Sequence, residues 1–193
     1  MDNLPEIPTG GSSQNRLNSW IAVTVAILAA FMAVTKVKDD NIVQAMLQAK
    51  SDSVDRWNEC QAKSIKQNLV ELGRDQTKTL RVNATAANAV QYDDQIKHYE
   101  EEIDRYKKEK GDLQKEAQDL EARYDALGYR DDQFDLSDAA LSVALALLAV
   151  TALTGKRWLF WASLALSAVG ILMGLAGLIG INLHPDWLIK LLT

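Results

Sequence analysis

The sequence predicts an all-α integral membrane protein with three transmembrane helices and a long antiparallel coiled-coil hairpin between the first and the second. Two observations lead to this fold class. Charged residues are absent from residues 19–35, 139–155 and 158–185, although 24% of the 193 residues are charged. The charges concentrate instead between residues 36 and 138, where apolar residues recur at the spacing of a helical heptad repeat.

The chain is expected to begin with a disordered polar tail over residues 1–17, which contains two prolines and two adjacent glycines. A cleaved secretory signal is not expected, because the apolar segment starts late and continues directly into charged sequence. Residues 18–35 are predicted to form the first transmembrane helix. Small residues at helical spacing would give this helix one narrow face, formed by Ala22, Ala26, Ala30 and Ala33.

Residues 36–135 are predicted to form the extramembrane helical hairpin. Its first arm continues the first transmembrane helix past Leu72 and carries a loose apolar seam with a stutter. We expect this seam to consist of Val43, Leu47, Val54, Trp57, Ala62, Ile65, Leu69 and Leu72. Both ends of the hairpin must lie at the same side of the membrane, so equal arms place the reversal within residues 81–88. Gly73 is a competing turn that would give arms of unequal length.

The second arm carries the most specific pattern in the chain, an uninterrupted a/d heptad seam. The apolar seam residues are Tyr92, Ile96, Tyr99, Ile103, Tyr106, Leu113, Leu120, Tyr124 and Leu127, and Lys110 and Ala117 occupy the same register. Lys110 is expected to extend its ammonium group to water. The alternative is a polar seam residue that fixes the register or the number of subunits. Gly128 is expected to end the helix.

Residues 136–154 and 158–183 are predicted to form the second and third transmembrane helices. They are joined by a tight link at residues 155–157, and an interfacial carboxyl-terminal segment follows at 184–193. The third helix carries a face of small residues that permits close approach of helix backbones in lipid. This face consists of Ser163, Ser167, Gly170, Gly174 and Gly177. It packs either within one chain or against another subunit.

The sequence contains no motif for catalysis, for cofactor binding or for metal binding. One cysteine and two histidines exclude a cysteine metal cluster. The net charge of −5 gives no basic surface for nucleic acid. No ionisable residue lies deep in a predicted transmembrane helix, which argues against a transporter. We therefore expect no catalytic residue, no cofactor, no metal site and no enzymatic activity.

Several short segments carry a resemblance to a known family: residues 55–57, 61–66, 99–103, 115–117 and 154–158. On these residues the chain resembles a bacterial family catalogued as domain of unknown function 4337. The resemblance covers nearly everything after the predicted tail. It implies a bacterial membrane protein of the layout described above, and it brings no activity and no catalytic residues.

Basic residues near the ends of the predicted spans favour one orientation. Lys156 and Arg157 lie in the short link and Arg16 lies in the tail, so both segments are expected to be cytoplasmic. In a bacterial inner (cytoplasmic) membrane, this orientation would place the hairpin in the periplasm.

The expected function is that of a non-enzymatic membrane-anchored scaffold or adaptor that self-associates through its transmembrane helices and its Tyr/Ile seam. Its expected partners are the lipid bilayer, further copies of the same chain, and another membrane or envelope protein. One alternative is a sensory or regulatory membrane subunit. Another is an oligomeric channel or small-solute transporter.

Overall fold

The computed structural model describes residues 11–181, and in that range it contains three α-helices and no strand. Helix α1 runs over Gly11–Val82, α2 over Ala86–Thr154 and α3 over Arg157–Ile179. Each helix includes a stretch that is long and apolar enough to cross a bilayer. The prediction of an all-α chain with three such helices is therefore confirmed.

Three helix boundaries differ from those predicted. Helix α1 begins at Gly11, inside the predicted tail. No proline lies between Pro8 and the end of this helix, and adding residues to an existing helix costs little free energy. Helix α2 continues through Gly128, since an interior glycine costs only about 1 kcal/mol relative to alanine. Helix α3 ends at Ile179 rather than at 183. There Gly180 adopts a φ of 79° and its N–H donates to the carbonyl of Ala176 at 2.8 Å, which forms a left-handed cap.

Two short non-helical segments separate the helices. Residues 83–85 lie between α1 and α2, within the segment 81–88, whereas Gly73 lies inside α1. Gly155 and Lys156 lie between α2 and α3, and Gly155 has a φ of 67°, which glycine adopts without steric cost. The predicted carboxyl-terminal segment 184–193 lies outside the described residues, as do residues 1–10 of the predicted tail.

The helices divide into two compact units. The terminal unit comprises Met1–Gln44 and Ala126–Thr193, and the central unit comprises Ala45–Asp125. All three helices contribute to the core of the terminal unit. This core consists of the buried Ile21, Leu28, Leu141 and Leu148, with Phe160 and Ile171 of α3 packed against them.

In the central unit, α1 and α2 lie side by side and run in opposite directions. Ion pairs join them along their length, and residue numbers fall on α2 as they rise on α1. The nitrogen–oxygen distances are 3.2 Å for Arg56–Glu116, 3.1 Å for Lys78–Glu100 and 2.8 Å for Arg81–Asp93. These exposed pairs contribute little to stability individually, but together they define the register of the two helices.

Candidate functional site

The small-residue face of α3 lies against the other helices of the same chain. All five of its members are buried: Ser163, Ser167, Gly170, Gly174 and Gly177. A Cβ atom added to Gly170 would lie 2.7 Å from Cγ of Leu141, and one added to Gly174 would lie 2.8 Å from the Phe31 ring. A Cβ atom on Gly177 would lie 2.9 Å from the Phe134 ring. Because this face is fully occupied within the chain, no part of it is left open for another subunit.

Polar side chains of α2 reinforce this packing by bonding to the backbone of α3. The Ser137 hydroxyl donates to the carbonyl of Gly170 at 2.7 Å, and the Arg130 guanidinium donates to the carbonyl of Gly177 at 2.9 Å. Because glycine has no side chain, the backbone of α3 approaches α2 closely at Gly170 and Gly177. Their carbonyl oxygens therefore come within hydrogen-bond distance of the α2 side chains. Neither Arg130 nor Ser137 is among the site residues predicted from the sequence. Arg130, Ser137 and Ala144 follow one another at intervals of seven residues, and Leu141 lies four residues after Ser137. Leu141 and Ala144 are fully buried, so this heptad spacing is the sequence signal that places Arg130 and Ser137 on the same buried side of α2.

The predicted small face of α1 does not take part in this packing. Ala22, Ala26, Ala30 and Ala33 are exposed, whereas Ile21 and Leu28 are buried against the rest of the terminal unit. The small face predicted for α1 therefore exists as a helix side, but it is not the side that packs within the chain. The glycines of α3 already provide the narrow side of the contact, so α1 and α2 supply the larger side chains that fill it.

The predicted seam on α2 faces α1 in the central unit. Ile103 and Ala117 are buried, with exposures of 2% and 0%. The remaining members of the register within this unit are half-buried, namely Tyr92, Ile96, Tyr99, Tyr106, Lys110, Leu113, Leu120 and Tyr124. Leu127, also half-buried, belongs to the terminal unit. The heptad pattern thus identifies the side of α2 that turns towards its neighbour.

The side of α1 that meets this seam consists of small and polar residues. Its buried members are Ala49, Ser53, Cys60, Gln67 and Thr77. The bulky tyrosines of α2 require small partners. A Cβ atom on Gly73 would lie only 3.4 Å from the Tyr99 ring. The side-chain volumes of the two helices must match where they meet, and this requirement decides which side of α1 faces α2.

Hydrogen bonds between the two helices accompany this packing. The Trp57 indole N–H donates to Oε1 of Glu121 at 3.0 Å. The Lys110 ammonium donates to Oε1 of the buried Gln67 at 3.2 Å. Lys110 is half-buried, so its head bonds to a side chain of the opposing helix instead of extending fully to water. This arrangement favours a role for Lys110 in fixing the register.

The predicted α1 seam points away from α2 and is exposed. Its large aliphatic members in the central unit, Leu47, Val54, Ile65, Leu69 and Leu72, are between 47% and 65% exposed. We call these five residues the open α1 face. Of the predicted seam, Trp57 alone is half-buried through a contact with α2. Small and polar residues of α1 occupy the side opposite α2, so the loose apolar seam predicted for this arm is not the side of α1 that meets α2.

A group of carboxyl side chains lies in the terminal unit, outside the predicted spans. Asp39 is only 4% exposed and accepts a hydrogen bond from Lys36 at 2.8 Å. Asp131 and Asp135 lie close enough to Asp39 for the three carboxyl groups to interact electrostatically. Burial raises the pKa of Asp131 to about 6, assisted by the negative charge of Asp135 and by its contact with Asp39. Burial likewise raises the pKa of Asp135, and the charge of Asp39 adds to the effect.

Within residues 11–181, no three His, Cys, Asp or Glu side chains are grouped so as to hold a metal ion. The Cys60 thiol is buried and donates a weak hydrogen bond to the carbonyl of Lys110, at 3.7 Å. A shallow groove on the central unit is lined by five carboxylates and by Arg56, which pairs with Glu59 and Glu116. The most distinctive surface of the central unit is therefore the open α1 face.

Comparison with known proteins identifies the family of the chain and no individual relative. No curated protein and no solved structure matches it. A family model described as domain of unknown function (DUF4337) matches residues 17–180, which include most of α1 and all of α2 and α3. The chain therefore belongs to the DUF4337 family.

Proposed function

We propose that this chain is a non-enzymatic scaffold of the bacterial inner membrane that self-associates through the open α1 face. Three transmembrane segments anchor it, and a coiled-coil hairpin presents the face. The observation that carries the proposal is the exposure of five large aliphatic side chains in one helix of the central unit. Several large aliphatic side chains exposed along one side of a helix mark an interaction site in a water-soluble region.

The exposed surface of the terminal unit supports insertion into a membrane. Large apolar side chains are exposed on all three of its helices, for example Ile27 at 60%, Val143 at 53% and Leu172 at 64%. Helices that are apolar on their outer surface are suited to lipid, which also requires every backbone polar group to bond within the protein. Trp20 and Trp158 are exposed at the ends of the apolar stretches, where aromatic rings prefer the bilayer interface.

The sequence of α1 points to a second copy of this chain as the partner. Ala26, Ala33, Leu47 and Val54 are separated by seven residues or multiples of seven, so they share one side of the helix. An interval of eleven residues from Val54 to Ile65 keeps the same side. Small residues permit close approach in lipid, and large aliphatic residues drive association in water. A partner helix that runs parallel to α1 would need small residues in the lipid and large aliphatic residues in water. A second copy of α1 has this arrangement.

Site-specific crosslinking tests the proposal. In a Cys60→Ser background, Leu69→Cys places a thiol on the open α1 face, and Lys66→Cys places one on another side of the same helix. A short bis-maleimide is added to native membranes that contain the full chain. We expect a covalent dimer with Leu69→Cys and little product with Lys66→Cys, because a symmetric parallel pair brings residue 69 close to its own copy.

Equal crosslinking at the two positions would overturn the proposed interface, since random collisions do not distinguish helix sides. A monomeric mass in mild detergent, together with no crosslink at residue 69, would overturn self-association altogether. Ion flux through the reconstituted protein would instead favour a channel. Thiol accessibility of Lys66→Cys from each side of the membrane tests the proposed periplasmic position of the hairpin.

A further inference from the structure

A groove in the terminal unit combines apolar walls with cationic groups. It has a volume of about 550 Å³ and lies between α1 and α3, with Leu17 and Trp20 on one side and Phe160, Trp161 and Leu164 on the other. Arg157 lines the same groove. An adjoining cavity of about 300 Å³ is lined by Arg16, Leu17, Trp20 and Arg157. The two arginines thus meet at one end of an aromatic and aliphatic groove.

Among the described residues at this end of the apolar segments, the charged side chains are all basic. No Asp or Glu occurs in residues 11–35 or 139–181, whereas Arg16, Lys156 and Arg157 all lie at this end of the apolar segments. Helix α3 begins at Arg157, and its N-cap residue Lys156 makes no capping hydrogen bond through its side chain. The first N–H groups of a helix lack intrahelical acceptors and attract anions. An anionic group at this end of the groove would therefore meet guanidinium and backbone donors together.

We propose that this groove binds an anionic phospholipid, with its phosphate at Arg16 and Arg157 and the upper part of an acyl chain along Trp20, Phe160 and Leu164. The proposal rests on the membrane insertion proposed above. A free phosphate would leave the apolar walls in contact with water, whereas a phospholipid matches both parts of the groove. Basic pockets between transmembrane helices recognise acidic headgroups in this way, and Trp rings occupy the same interfacial depth.

Lipid retention measured by native mass spectrometry tests the site. The full chain is reconstituted with phosphatidylglycerol and phosphatidylcholine of identical acyl chains and then released in mild detergent. We expect the wild type to retain phosphatidylglycerol preferentially, and Arg157→Gln to lower that retention roughly fivefold, the usual effect of one basic residue at an anionic surface. Lys38→Gln removes a cation beyond the other end of the first apolar segment and should leave retention unchanged.

A second variant separates the groove from general charge attraction. Leu164→Trp fills the apolar part without changing the charge, and it should also reduce phosphatidylglycerol retention. Unchanged retention in Leu164→Trp, or an equal effect of Arg157→Gln and Lys38→Gln, would overturn the site.

Flotation of each variant with phosphatidylcholine vesicles is measured in parallel. Chains that float but show no headgroup preference contradict the lipid site alone. Chains that do not float contradict both the membrane anchor and the site that depends on it.

Discussion

Replacing Gly170 by alanine is expected to destabilise the packing of α3 against α2. The added Cβ would lie 2.7 Å and 2.9 Å from two side-chain atoms of Leu141 and 3.2 Å from the carbonyl oxygen of Ser137. Leu141 is fully buried, and the Ser137 carbonyl belongs to the helix backbone, so neither group moves aside easily. Overpacking of this kind costs about 1–3 kcal/mol, and the better helix propensity of alanine returns about 1 kcal/mol. The net expectation is a loss of up to about 2 kcal/mol.

The chain provides a matched control at Gly111. Gly111 lies inside α2 as Gly170 lies inside α3, but a Cβ added to Gly111 would have no neighbouring atom within 4 Å. Gly111→Ala should therefore change the stability only through the higher helix propensity of alanine, which stabilises the protein by about 1 kcal/mol. Helical circular dichroism at 222 nm, followed during heating in one detergent, ranks the wild type and both variants. A change of 1 kcal/mol moves the midpoint of a chain of this length by roughly 2–4 °C.

Gly170→Ala is expected to lower the thermal midpoint and Gly111→Ala to raise it, so the comparison tests the close packing at Gly170 directly. If Gly170→Ala raised the midpoint as much as Gly111→Ala, the close approach of α3 to Leu141 would not exist in the folded protein. A lowered midpoint in Gly111→Ala would instead show that this exposed side of α2 contacts another subunit. Measurement of the oligomeric mass of each variant distinguishes the second case.

Three further predictions concern the polar groups. The raised pKa of Asp131 means that the folded state binds a proton more tightly than the unfolded chain, so stability present below pH 4 should decline as pH rises to about 6. Asp131→Asn should flatten that decline in a pH series of thermal midpoints, and an unchanged slope would refute the assignment. Buried Cys60 should react with a maleimide far more slowly in the folded chain than in denaturant, and equal rates would refute its burial. Replacing Gln67 and Lys110 together by leucine should raise the thermal midpoint but broaden the set of disulfides formed between cysteines placed on α1 and α2, whereas one retained register would exclude a role for the pair in alignment.

The sequence predicts the regular features of this protein well. The uncharged segments predict three apolar helices, and each helix of the described residues contains a stretch that is long and apolar enough to cross a bilayer. The heptad register on α2 identifies the residues turned towards α1, because Tyr, Ile and Leu there alternate with charged residues. The glycines and serines of α3 are likewise predicted as a close-packing face. In these cases the side-chain pattern of a single helix is sufficient to distinguish its buried side.

Helix ends are less well predicted because they depend on small energies. Gly128 was expected to stop α2, yet the helix continues and buries Gln133 and Phe134 in the terminal unit. The packing of these side chains outweighs the modest cost of one glycine. Gly180 does end α3, since it adopts a left-handed conformation there. The same residue type therefore gives different outcomes in different tertiary surroundings.

The sequence by itself determined that lipid-compatible and water-compatible segments alternate along a helical chain, because charge and hydrophobicity are fixed by composition. Only the tertiary structure decided which side of α1 is buried. The large aliphatic residues of the predicted α1 seam are exposed, whereas Ala49 and Ser53 are buried and Gly73 lies against the Tyr99 ring of α2. Hydrophobic periodicity locates an apolar helix face, whereas the volume of the side chains on the opposing helix decides whether that face is covered.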